Sequence, residues 1–213
     1  MTNHGGDSKD PLGISGLTTC ASLPESRRLL HLIQTRNLKI IAIHSQFRGE
    51  GKTFVTAMLA ESAWRFAERR VLIIDAVSSN RGQSFFKHQL PSTTQIDVIL
   101  AKTLRADGHL SSAKTSAQEP NQSHDVTASD FDIGEYLGAV RDTYDLILID
   151  CCPLTSITSE DLHPAIISWH SDACIVVTAP RSLRQGDLVS LKALLKHHNL
   201  VPLGVVFNAG GQQ

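Results

Sequence analysis

The segment Ser45-Gln-Phe-Arg-Gly-Glu-Gly-Lys-Thr53 follows the apolar run Leu38–His44 and leads into a helical pattern that opens at Thr53. A strand that enters a glycine-rich turn and continues as a helix aims successive backbone N–H groups, and the positive end of the helix dipole, at one anion. Lys52 adds a point charge and Thr53 a hydroxyl suited to Mg²⁺. Residues Gly49, Glu50, Gly51, Lys52 and Thr53 therefore read as a phosphate-binding loop. The general pattern G-x-x-x-x-G-K-[ST] is broken at its first position, where Gln46 stands in place of glycine.

Two acids support the reading from a distance. Arg70-Val-Leu-Ile-Ile-Asp75 and Tyr144-Asp-Leu-Ile-Leu-Ile-Asp150 are both apolar runs that end in a carboxylate. In doubly wound α/β sheets, ligands sit beyond the carboxyl ends of the strands. Asp75, Asp150 and Lys52 are thus expected to converge on one crevice, where two carboxylates, a hydroxyl and an ammonium serve a Mg²⁺-nucleotide. The bland alternative for either aspartate is an ordinary strand-end or turn residue.

The elements that must position these groups follow from periodicity. Strands are expected at Leu38–His44, Val71–Asp75, Tyr144–Cys151, Ala173–Ala179 and Leu203–Asn208, and helices at Pro24–Gln34, Thr53–Ala67, Ile96–Lys102, Asp130–Asp142, Glu160–Trp169 and Gln185–His198. Nearly continuous apolar strands alternating with helices mean a single, mostly parallel sheet covered on both faces. The predicted class is α/β, doubly wound, of the P-loop type. Residues 1–22 read as a flexible tail, and 23–213 as the folded domain that carries the phosphate-binding loop. Within it, 103–129 is poor in apolar residues and reads as a disordered insertion.

Composition narrows the function class. The chain has 213 residues, with 20 Lys+Arg against 21 Asp+Glu and a formal charge of -1, so it offers no global attraction to nucleic acid or to an anionic membrane. The four cysteines lack C-x-x-C spacing, which speaks against a zinc site or a disulfide framework. Cys151 and Cys152, beside the expected site, read as small apolar groups. The ten histidines include one adjacent pair, His197-His198, which is a poor chelate, and are expected to be solvated surface groups. No run of eighteen apolar residues and no signal-peptide pattern occurs, so a cytoplasmic protein is expected. No G-x-G-x-x-G follows the first strand, which disfavours a dinucleotide-binding dehydrogenase.

Taken in order, Gly49–Thr53, Val71–Asp75, Ile96-Asp-Val-Ile-Leu100, Tyr144–Asp150 with Pro153, and Leu203-Gly-Val-Val-Phe-Asn208 resemble the cytoplasmic ATPase domain of bacterial tyrosine kinases of capsule and exopolysaccharide biosynthesis, within the MinD- and ParA-like ATPases. The resemblance covers about residues 24–209. It implies ATP and Mg²⁺ as cofactors. Lys52 would hold the β- and γ-phosphates, Thr53 and Asp150 the Mg²⁺, and Asp75 would help to position metal and nucleophile. Asn208 matches a position that contacts the adenine base. The implied activity is ATP hydrolysis or weak tyrosine phosphorylation that regulates polysaccharide synthesis or export. The implied partners are a separate membrane protein of that machinery and further copies of the chain, and the implied location is the inner face of the membrane.

Departures from the family pattern are specific. Where the kinases carry Asp-x-Asp-x-Arg, this chain has Asp75-Ala-Val77-Ser-Ser79, so an acid and an arginine are missing. The C-terminal Gly210-Gly-Gln-Gln213 carries no tyrosine cluster. Glu25-Ser-Arg-Arg28-Leu-Leu-His31 resembles the family's Glu-x-x-Arg-x-x-Arg assembly motif, with His31 for the last arginine. Its bland reading is a solvated helix face. Two alternatives stand beside the kinase reading: a positioning ATPase of the partition type, whose signature lysine is replaced by Phe47, and a catalytically inactive nucleotide-dependent regulator, which Val77 favours.

If the loop holds phosphate, Lys52→Ala weakens binding of Mg-ADP by about 10- to 100-fold or more, the loss of a charged hydrogen-bonding partner. Calorimetry checks this, and an unchanged affinity would overturn the assignment.

Overall fold

The computed structural model describes residues 17–19, 23–77, 85–86, 90–91, 93–101, 133–158, 161–180 and 185–209. Seven strands form one sheet: β1 (Leu17–Thr19), β2 (Ile40–Ser45), β3 (Val71–Asp75), β4 (Ile96–Leu100), β5 (Leu146–Asp150), β6 (Ala173–Thr178) and β7 (Pro202–Phe207). Their spatial order is β1-β7-β6-β2-β5-β3-β4, and every pairing is parallel. The helices are α1 (Leu23–Thr35), α2 (Lys52–Ala67), α3 (Ile133–Val140), α4 (Pro164–Trp169) and α5 (Gln185–His197).

Alternation along each strand creates two cores. Ile41 and Ile43 of β2, Val71 and Ile73 of β3, and Leu146 and Leu148 of β5 pack with Leu29, Leu30 and Ile33 of α1 and with Val55, Leu59 and Ala63 of α2. The intervening residues Ile40, Ala42, Leu72, Ile74, Ile147 and Ile149 pack with Ile133 and Leu137 of α3, Ile167 of α4, and Leu191 and Leu195 of α5. A strand buried on both faces has no polar side to show. This is why β2, β3 and β5 read as nearly continuous apolar runs that turn polar only at their carboxyl ends. Helices stop sharply before the strands they feed: Asn37, Glu68 and Asn199 adopt left-handed φ values of 53°, 49° and 54° just past α1, α2 and α5.

Three expectations change. Ile96–Leu100, read within a helix, is strand β4, paired with β3 in the register Val71↔Ile96 to Asp75↔Leu100. Isoleucine and valine favour a pleated surface, and a short apolar run satisfies both periods, so the pairing with β3 decides. Leu17–Thr19, inside the stretch read as a tail, forms edge strand β1 against Val205–Phe207. The helix read from Glu160 begins at Pro164, with His163 as its N-cap accepting from the Ala165 N–H through Nδ1 at 3.3 Å, while Asp161 turns back to accept from Thr158 N and Oγ1 at 2.9 and 2.8 Å. The segment 103–129 and the turn at Asn80 lie outside the described residues.

Nor are the histidines all solvated. His44 of β2 is fully buried beneath α4, with Nε2 and the Ser168 hydroxyl 3.2 Å apart in a hydrogen bond and no partner for Nδ1. His198, 8% exposed, stacks near His163 and His197 at ring separations of 5.3 and 4.9 Å. Burial, the Lys52 charge and His198 together push His44 from an ordinary 6.5 down to about 3. The ring is neutral when folded and must charge when unfolded in acid. Its contribution to stability is therefore complete above 6.5 and is lost as pH falls from 6.5 towards about 3. Over that whole window the loss is on the order of 5 kcal/mol. Urea titrations at stepped pH are expected to show a flatter acid slope for His44→Gln than for the unaltered chain, whatever the variant's absolute stability; equal slopes would refute the burial account.

Candidate functional site

The carboxyl ends of β2, β3, β5, β6 and β7 meet on one edge of the sheet, and the loop after β2 lies among them. Gly49 and Gly51 take φ values of 81° and 92°, a region that suits glycine. Gly51 is also the N-cap of α2, with no side-chain cap hydrogen bond. A Cβ there would lie 1.8 Å from Asn208 Nδ2. The position is thus closed to any other residue twice over, by conformation and by contact. The first-turn N–H groups of α2 have no side chain capping them, as an anion site requires.

Neighbouring strands hold the loop on both sides. Towards β5, Leu154 N donates to Ser45 O at 2.9 Å, and Thr155 donates to Gln46 O through N at 3.2 Å and Oγ1 at 2.7 Å. The Ser45 hydroxyl donates to Phe47 O at 2.8 Å. Towards β6, the buried Glu50 carboxylate accepts from Phe47 N, the Thr178 hydroxyl and Ala179 N. Glu50 was read as part of the phosphate cradle. Its side chain instead turns into the protein, leaving only its backbone to face a ligand. Neither this inward turn nor the Gln46–Thr155 tie had a signal in the sequence.

The strand-end acids come together as expected. Parallel pairing sets Asp75 opposite Asp150, and Ala76 N donates to Asp150 O at 2.9 Å. The Thr53 hydroxyl donates to Asp150 Oδ2 at 2.7 Å. Asp75 accepts from Val77 N through Oδ1 at 3.1 Å. Asp150 is fully buried and its Oδ1 has no hydrogen-bond partner. Burial raises its carboxyl pKa, while the Lys52 charge and the Thr53 hydrogen bond pull the other way. Lys52 itself is 7% exposed. A carboxylate with an unused buried oxygen, joined to a hydroxyl and beside an ammonium, is a donor set that suits a hard divalent cation next to phosphate. Among the described residues no group of three or more His, Cys, Asp or Glu is placed to hold a metal alone. A Mg²⁺ here would complete its shell with phosphate oxygens and water, as this ion prefers.

Asn208 lies over the loop rather than away from it. Its Nδ2 donates to Glu50 O at 3.1 Å and its own N–H to Thr178 O at 2.8 Å. Cys151 and Cys152 are buried, and burial raises both thiols, Cys152 to about 12, so both are packing groups at neutral pH. On α1, Arg28 and His31 are exposed, whereas Arg27 lies over the Phe66 ring at 3.6 Å.

Against known proteins, a family model described as AAA domain matches residues 38–197. Tyrosine-protein kinase CpsD of Streptococcus pneumoniae is 28% identical over 179 residues, spanning 80% of this chain and 76% of that protein. The kinase domain of the Escherichia coli tyrosine kinase ETK superimposes with a TM-score of 0.60 at 21% identity, covering 88% of this chain and 75% of that one. The septum site-determining protein MinD of Pyrococcus horikoshii OT3, solved with Mg-ADP, gives a TM-score of 0.52 at 25% identity over 82% and 72% of the two chains. The family match begins before the loop and ends in the last turn of α5, so it takes in the loop, the paired acids and the strands from β2 to β6, and stops short of β7 and Asn208. The chain is a member of this AAA domain family, and it is similar in sequence to tyrosine-protein kinase CpsD and in fold to the ETK kinase domain and to MinD.

Proposed function

We propose that the chain binds Mg-ATP on the Gly49–Thr53 loop and acts as an ATPase or weak kinase of the bacterial tyrosine-kinase type, regulating exopolysaccharide or capsule synthesis or export. The observation that carries this reading is the junction of the uncapped α2 amino end with the Thr53–Asp150 pair and the unpartnered Asp150 oxygen. Lys52 neutralises the β- and γ-phosphates. Thr53 and Asp150 hold Mg²⁺, and Asp75, held one strand away, positions metal and nucleophile. When bound, Mg²⁺ supplies charge neutralisation at the transferring phosphoryl group. Asn208, at the mouth of β7, is the candidate contact for the base.

Phosphoryl transfer needs positioning and charge more than covalent chemistry, so a missing acid weakens turnover more than binding. Val77, two residues past Asp75, stands where the kinases carry that acid. A purely regulatory nucleotide sensor is the second reading, and Val77 is what favours it. The positioning-ATPase reading is weaker, because Phe47 replaces the signature lysine. No helix among the described residues is long and apolar enough to cross a membrane. A cytoplasmic protein brought to the membrane by a separate partner fits this, with the exposed Arg28 and His31 face of α1 as the surface for that partner or for a second copy.

Mg²⁺-dependent release of phosphate from ATP is expected to be slow in the unaltered chain and about 100-fold or more faster in Val77→Asp, the scale of an added acid–base group. ADP affinity should be unchanged in that variant. Asp150→Ala should lack activity in either background. A folded, ADP-binding Val77→Asp variant with no gain would count against a catalytic deficit at this position, and the absence of any Mg²⁺-dependent phosphate release from the unaltered chain would leave the regulatory reading.

A further inference from the structure

Glu50 stands in the middle of a surface loop, yet it is only 1% exposed. Oε2 accepts from Phe47 N at 2.7 Å, while Oε1 accepts from the Thr178 hydroxyl at 3.2 Å and from Ala179 N at 3.4 Å. Its main-chain oxygen accepts from Asn208 Nδ2 at 3.1 Å, and Asn208 N donates in turn to Thr178 O at 2.8 Å. One residue therefore joins the first turn of the loop, the end of β6 and the first residue past β7.

The choice of a carboxylate here is informative. None of the ion pairs among the described residues includes Glu50, so its charge is satisfied by these three donors. A buried carboxylate has a high desolvation cost without such donors, and beside a polyphosphate its charge also opposes the ligand. An apolar side chain of similar size would fill the space without that repulsion. It could not tie Phe47 N to the end of β6. The donors, and not the volume, explain the residue.

We propose that Glu50 is a positioning residue that couples the phosphate loop to the chain leaving β6, so that phosphates ordering the loop also fix Thr178, Ala179 and Asn208 on its far side. This rests on the loop being the nucleotide site. Through this tie, occupancy of the loop is conveyed to the segment Ala179–Pro180, on the side of the sheet away from the paired acids. It gives nucleotide a differential affinity for one arrangement of that segment, which is what a nucleotide-dependent surface requires.

The test is ADP titration by calorimetry together with amide hydrogen exchange, on the full chain with and without Mg-ADP. In the unaltered protein, ADP should slow exchange both in the loop and at Ala179. Glu50→Ala should weaken ADP by about tenfold or more, as for lost hydrogen bonds to a charged group. At saturating ADP it should keep loop protection but lose the ADP-dependent protection at Ala179. Glu50→Gln, whose amide oxygen can still accept from Phe47 N but whose NH2 then faces Ala179 N without accepting from it, should recover part of the ADP affinity and little of the protection at Ala179. Thr178→Val removes one hydroxyl alone and should give a smaller loss in the same direction, which keeps the test open if Glu50→Ala does not fold. A Glu50→Ala variant with unaltered ADP affinity, or with undiminished ADP-dependent protection at Ala179, would overturn the coupling. So would a Thr178→Val variant indistinguishable from the unaltered chain in both readouts. Failure of the unaltered chain to bind ADP would instead remove the site itself.

Discussion

The site depends on how the chain leaves β2. A parallel strand ends with its last carbonyl and its onward direction fixed by its neighbours, and here β5 and β6 flank β2 on both sides. The chain has five residues, Gln46 to Glu50, in which to turn back before Gly51 caps α2. Two left-handed glycines make that turn sterically accessible. Asn208 then presses on Gly51 at a distance no Cβ would permit. That contact and the two glycine conformations help to set the direction of α2, and so the aim of its N–H groups.

The neighbouring acids show the tension between stability and chemistry. Registering Asp75 against Asp150 places two carboxylates side by side with almost no exposure. Burial disfavours the charged form of Asp150, and Lys52 and the Thr53 hydroxyl offset part of that. The arrangement is not one that folding by itself would select, since an isosteric apolar residue in place of Asp150 would meet no such opposition. A divalent cation would relieve the same strain. Polar groups whose cost has no structural return are the places where function is to be sought.

Much of this was legible in the sequence because the relevant signals are local. The Gly-Glu-Gly-Lys-Thr loop, the apolar runs ending in Asp75 and Asp150, and the strand before Asn208 each carry their meaning in adjacent residues. What was not legible depends on partners distant in sequence. Ile96–Leu100 satisfies either period, and only Val71–Asp75 beside it makes it a strand. Leu17–Thr19 has too few residues for a period and is a strand because β7 offers an open edge. Glu50 resembles a solvent-facing loop acid until Thr178 and Ala179 appear next to it. His44, a polar residue within an apolar run, did carry a signal of burial, and its position in β2 could have been weighed above the general preference of histidine for the surface.

The strand order has a consequence for how the molecule is made. Ile40 pairs with Ile147, and Ile41 with Ala173, so the strand that feeds the loop finds neither neighbour until α2, β3, β4 and α3 have been synthesised. Closing such distant pairs is entropically expensive and slow compared with forming helices. A nascent chain halted before β6 leaves one edge of β2 unpaired, and the contacts of Glu50 with Thr178 and Ala179 that hold the loop on that side cannot form. The site is therefore assembled late and as a unit. Nucleotide, by binding only the completed arrangement, would shift the balance between finished protein and its aggregation-prone precursors.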